Sequence, residues 1–228
     1  MHYLLTHLVD AWTLVVVHLR LSLVPVLIGM AIALPLGMLV QRTRIARQLT
    51  TAIASVVFTI PSLALFVVLP MIIGTRILDE ANVIVALTAY TAALLVRAVL
   101  EALDAVPAQT RDAATAVGYP PITRILKVDL PLAVPVLIAG VRVVVVTNIA
   151  MVSVGSVIGI GGLGSWFTQG YQTNKSDQIL AGIIALFVLA VVIDLLIVFA
   201  GRLATPWVHA VRSTGRRSVV APVVGGAR

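Results

Sequence analysis

The chain has 228 residues, of which 60% are hydrophobic and 11% charged, and its mean hydropathy is +1.10. No ordinary soluble domain reaches that value, so the chain is an integral membrane protein and aqueous burial is the wrong frame for reading it. Its net charge of +7 bears on membrane topology rather than on nucleic acid, and the absence of cysteine excludes disulfides, thiolate metal sites and cysteine nucleophiles.

The N-terminus, MHYLLTHLVDAW, has no basic region and no small-residue cleavage site, so it is not read as a removable signal peptide. Residues 1–20 are expected to be external or interfacial. Within them, LVDAWTLVVVHL at 8–19 admits two readings, an outward extension of the first helix or a surface helix with Trp12 at the interface, and extension is favoured. Five spans follow, at about 21–40, 50–73, 81–100, 132–154 and 179–201, each near the roughly 20 apolar residues that cross a hydrocarbon core of about 30 Å. The fold class is therefore all-α, with a transmembrane domain over 21–202.

Cytoplasmic loops retain positive charge, and this orients the bundle. One side receives Arg42, Arg44 and Arg47, then Arg97, Arg111, Arg124 and Lys127, then Arg202, Arg212, Arg216, Arg217 and Arg228; the other receives Arg20, Arg76 and Lys175. The N-terminus is expected outside and the C-terminus inside. The tail, 203–228, mixes Gly, Pro, Ser and Arg without periodicity and reads as a disordered end beside the anionic inner leaflet.

The segment 101–131 is the long cytoplasmic connection. Pro107 opens a helix of about three turns, Gly118 supplies the left-handed residue that ends it, and Tyr119, Pro120 and Pro121 turn the chain. ITRILKVD then reads as an amphipathic helix along the inner membrane surface, with Pro131 stopping it or starting the next span. Helix connections in bundles run to about two to eight residues, so a loop this long is functional rather than a mere connector. Its shape suits docking on another protein.

The same segment resembles the coupling loop of permease subunits of binding-protein-dependent ABC importers. That loop carries Glu-Ala-Ala, three residues, Gly, nine residues, Ile, one residue, Leu-Pro. Here Asp112, Ala113 and Ala114 are followed at the same spacing by Gly118, Val128, Leu130 and Pro131, with Asp for Glu and Val for Ile. TIPSLALF at 59–66, GVRVVVVTNIA at 140–150 and VIGIGGLGSWFTQG at 157–170 resemble the osmoprotectant branch, whose solutes are glycine betaine, choline, carnitine and proline. The resemblance covers about 18–202. It implies a type I importer fold, a second permease chain that is identical or a sister, two cytoplasmic ATPases that hold the ATP and Mg2+, and an external binding protein. Alternating access would be driven through the turn at Gly118, Tyr119 and Pro120. A permease for another small solute such as an amino acid, and an ATPase-independent secondary transporter or channel, are the rival readings.

Other motifs carry less. GIGGLG at 159–164 satisfies a dinucleotide fingerprint but follows a membrane span instead of a strand, so it reads as a turn at the outer end of the fourth span, with Trp166 and Phe167 at the interface. By resemblance, Gly161, Gly162 and Gly164 belong to an outer gate. There is no P-loop, so ATP hydrolysis falls to a partner, and His2, His7, His18 and His209 are too scattered for a metal site. Pro61, Ser62, Thr147, Asn148, Ser153 and Ser156 place polar or helix-breaking groups inside spans, where they line a pathway or bond helices together; for each taken singly, helix packing is the better reading. Arg142 and Asp194 are charges inside spans four and five. They are expected either to pair or to part, with Arg142 reaching the inner interface and Asp194 facing the pore.

Overall fold

The computed structural model describes residues 2–207, so the tail from 208 onward, with His209, Arg212, Arg216, Arg217 and Arg228, lies outside the described residues. Helices α1 (His2–Thr6), α2 (Leu8–Val40), α3 (Arg44–Thr59), α4 (Ser62–Ile73), α5 (Glu80–Asp104), α6 (Ala108–Ala116), α7 (Pro121–Arg124), α8 (Leu130–Gly155), α9 (Ser165–Gln172) and α10 (Ser176–Ala204) follow in order. A wide π turn (Ile125–Asp129) joins α7 to α8, and a 3-10 turn (Ser156–Ile158) follows α8. Four segments are long and apolar enough to cross a membrane, and the bent pair α3–α4 makes a fifth.

The spans alternate in direction. Arg20 meets Glu80, Gly29 meets Thr91 and Gly37 meets Val99, so α2 and α5 run parallel. Gly140 meets Ala98 and Asn148 meets Thr91, so α8 runs against α5. Gly201 packs on Ile138 and Asp194 bonds Arg142, which sets α10 against α8. Helix α5 is the core, with Val83, Ala86, Leu87, Tyr90, Leu95, Val96, Val99, Leu100 and Leu103 all buried. Side chains are absent from α2 where the two backbones come closest, at Gly29 and Gly37, as expected where helix association in lipid rests on close packing.

Four expectations are corrected. The second span is not one helix over 50–73: α3 and α4 meet at a 98° bend across Ile60 and Pro61. Proline disfavours helical backbone at the residue before it, and Ile60 is extended at φ −65°, ψ 128°. The surface helix over ITRILKVD is instead continuous with the fourth span. Of the two readings of Pro131, a stop or the start of the next span, the second holds: it lies in the first turn of α8, and the π turn just ahead, with the Leu130 amide bonding to Ile125 O five residues back, makes room for a ring that cannot donate. Arg97 lies within α5 rather than in the loop, where its guanidinium donates to Ser55 Oγ and Thr51 O of α3. Trp166 is not interfacial; it is buried against Ala11 and Ala181, edge-on to Tyr3. Residues 8–19 do extend the first helix, giving α2 a length of about 50 Å.

Candidate functional site

At the end of the bundle where α2, α5 and α10 terminate, the connection between α5 and α7 folds into a fixed shape. Helix α6 ends in a paired closure: Tyr119 N donates to Ala114 O at 3.1 Å and Gly118 N to Thr115 O at 3.0 Å. This geometry needs a left-handed residue, and Gly118 supplies it at φ +93°. Arg124 Nη1 reaches back to Thr115 Oγ1 at 3.1 Å, and its Nε lies 3.4 Å from the buried Asp129 carboxylate, so α6, α7 and the π turn are tied together. Ala114 is buried, whereas Asp112, Ala113, Gly118, Tyr119 and Pro120 are exposed; Val128, Leu130 and Pro131 are half-buried within the helix that enters the membrane. The segment is a rigid exposed knob on a span.

Within the bundle, the α3–α4 break is satisfied from α5. Tyr90 Oη donates to Ile60 O at 2.6 Å, taking a carbonyl that the lost helical turn leaves free, while Phe58 packs edge-on to the Tyr90 ring. Pro61 is exposed beside the break and Ser62 half-buried. One helical position on, Thr91 Oγ1 accepts from Asn148 Nδ2 at 2.8 Å, and the same amide also donates to Ser22 O. Asn148 is fully buried and its Oδ1 has no partner. This gathers α2, α5 and α8 around one polar knot, placing Asn148 in helix packing. Ser156 Oγ donates to Ser153 O, while Ser153 Oγ is buried without a bond.

Arg142 and Asp194 meet in a two-point ion pair, Nε to Oδ1 and Nη2 to Oδ2, both at 2.7 Å. The pair joins α8 to α10 near the middle of both helices. Opposite the α6 end, Gly162 and Gly164 are buried and Gly161 half-buried in the loop after α8. Gly162 adopts φ +95° and lies against His18 of α2, while Gly164 lies against the Ser153 backbone.

The family profile described as binding-protein-dependent transport system inner membrane component matches residues 26–209. The chain belongs to this family. As an inner-membrane permease of an ABC importer, it works with a separate ATPase and a substrate-binding protein and hydrolyses nothing itself. The osmoprotectant import permease OsmW of Salmonella typhimurium is 33% identical over 202 residues, covering 86% of this permease and 92% of that protein. The choline transport system permease OpuBB of Bacillus subtilis is 30% identical over 189 residues, covering 83% and 86%. The inward-facing MetNI methionine ABC transporter superposes with a TM-score of 0.70 at 31% identity, covering 85% of this permease and 94% of that chain.

The permease also holds residues that its sequence did not mark. Tyr90, Thr91, Arg97 and His18 each close a polar gap between helices. Their only local signal is a polar or aromatic group in an apolar run, and their partners lie between 30 and 145 residues away.

Proposed function

We propose that this permease forms the translocation pathway of an ATP-driven importer for osmoprotectants, small zwitterionic or quaternary-ammonium solutes. The observation that carries the coupling half is the exposed α6 knob. A docked ATPase pushing on the Gly118 turn moves α8 directly, because the helix from Pro121 runs unbroken into that span. Asp112, Ala113, Gly118, Tyr119 and Pro120 form the docking face, with Ala114, Val128, Leu130 and Pro131 holding it to the membrane. The substrate half rests on the osmoprotectant and choline permeases among the relatives.

The complex has two permease chains, two ATPases that hold ATP with Mg2+, and an external binding protein, with the N-terminus of the permease outside. The broken α3–α4 pair at Pro61 and Ser62 supports a pathway along that face, since interrupted helices near mid-membrane free backbone groups for a solute. Ser153, Ser156, Gly161, Gly162 and Gly164 serve the outer gate. Reconstitution with the ATPase and binding protein, followed by uptake of labelled glycine betaine, choline, carnitine and proline, tests this. Methionine belongs in the panel, because the likeness to MetNI favours an amino-acid solute as the second reading. ATP-dependent uptake of methionine alone would move the assignment to that reading.

A further inference from the structure

We infer that His18 is the positioning residue of a latch that holds the loop after α8 shut against α2, and that this latch opens in each transport cycle. The inference rests on the importer reading above. The matched family region begins at residue 26, so His18 sits in the part of α2 that precedes it. Its ring is fully buried.

Both ring nitrogens are engaged. Leu163 N donates to Nδ1 at 3.2 Å, and Nε2 lies 2.9 Å from Ile149 O. A carbonyl only accepts and an amide N–H only donates, so the partners assign a neutral imidazole with its hydrogen on Nε2. One ring on α2 therefore bonds both α8 and the loop that follows it, so a bond is lost if the loop moves away from α2. Gly162 fits the bridge: a Cβ there would fall 2.8 Å from His18 Nδ1, so the loop backbone lies directly on the ring.

A buried imidazole costs free energy unless both nitrogens are bonded, and here Nδ1 is bonded only while the loop stays in place. An apolar residue would pack the same space without that condition. Histidine makes the seated loop one discrete state. Tyr3, Ala11 and Leu14 support it by packing around Trp166, just beyond the loop. The chain resembles an inward-facing transporter, the state in which the end away from the ATPases is closed. Loss of the latch should then populate the opposite state without help from the binding protein.

The test uses the assembled transporter in proteoliposomes. His18→Phe keeps a ring but loses both bonds, and ATP hydrolysis in the absence of binding protein is expected to rise about tenfold, equivalent to about 1.4 kcal/mol. A purely structural role would lower hydrolysis instead, and hydrolysis at or below the wild-type level overturns the latch. A second variant stands apart from any folding defect in the first. A Cβ at Gly161 would lie 3.8 Å from Val17 Cγ1, and the chain has no cysteine, so Val17→Cys with Gly161→Cys creates a single possible cross-link. Relative to the same variant kept reduced, oxidation should cut uptake at least about tenfold (about 1.4 kcal/mol), and a reductant should restore that variant's own level. Full uptake by the cross-linked protein, or a loss that reduction does not reverse, overturns the latch. If the wild-type complex shows no ATP-driven uptake at all, the importer reading fails and the latch with it.

Discussion

Arg142 and Asp194 bind each other at two points, 2.7 Å apart at each, across the seam of α8 and α10, both inside segments long and apolar enough to cross a membrane. A charge left alone in such a segment must find water or protein, so neither residue tolerates loss of the other. Arg142→Ala and Asp194→Ala should each lower the amount of assembled transporter severalfold. The reciprocal exchange, Arg142→Asp with Asp194→Arg, should recover most of it, as measured by copurification of the ATPase with the permease. No recovery in the exchanged protein would mean that each charge has its own partner in the complex.

Asn148 separates a packing role from a pathway role. Its amide bridges Thr91 and Ser22 with no exposure, so Asn148→Ala strands Thr91 Oγ1 and loosens α8 from α2 and α5. A lost interhelical bond of this kind costs about 0.6–2 kcal/mol in a membrane bundle, which lowers the Tm by a few degrees. The KM for the solute should stay unchanged. A raised KM with an unchanged Tm would return Asn148 to the pathway.

The sequence displayed the spans because about 20 apolar residues in a row have few other meanings, and it displayed the α6 knob because Pro107 and Gly118 punctuate it locally. It misplaced features whose cause lies elsewhere in the chain. Pro131 reads as a stop or as the start of a span, and only the π turn before it shows how the helix runs on through it. Pro61 was legible as a helix-breaking group inside a span, but the 98° bend is invisible without Tyr90, whose hydroxyl donates to the freed Ile60 carbonyl. Trp166 has the composition of an interfacial residue, yet α1 and α2 fold over it. His18 is the extreme case, since its two partners lie 131 and 145 residues away. Arg142 and Asp194 stood between these limits: their cost in lipid announced a pairing with each other as one of two readings, and only geometry decided between them.

Gly118 divides conformational strain from surface chemistry. No atom lies within 4 Å of where its Cβ would sit, so a substitution meets no clash and suffers only from φ +93°. Gly118→Ala should loosen the turn by about 1–2 kcal/mol and lower uptake partially. Gly118→Asp adds a charge to the docking face and should abolish uptake while leaving the protein in the membrane. Asp112→Ala, exposed on the preceding helix, should weaken ATPase copurification only mildly. Membrane level, ATPase copurification and uptake, measured together on the three variants, check the order. Equal losses in Gly118→Ala and Gly118→Asp would mean that turn geometry alone matters and that the face makes no contact there.

Tyr90 holds the bend between α3 and α4 through a single hydroxyl. Tyr90→Phe keeps the ring and its edge contact with Phe58, whose centroid lies 5.8 Å away, and removes only the bond to Ile60 O. That carbonyl, already without its helical partner, is then left unsatisfied in an apolar setting, at a cost of about 1–3 kcal/mol. The Tm of the detergent-purified permease should fall by about 2–4 °C per kcal/mol for a chain of this size. The bend should also become free to vary, so uptake should drop while ATPase copurification stays normal, because the α6 knob lies at the end of α5 well away from Tyr90. An unchanged Tm would show that Pro61 alone sets the bend.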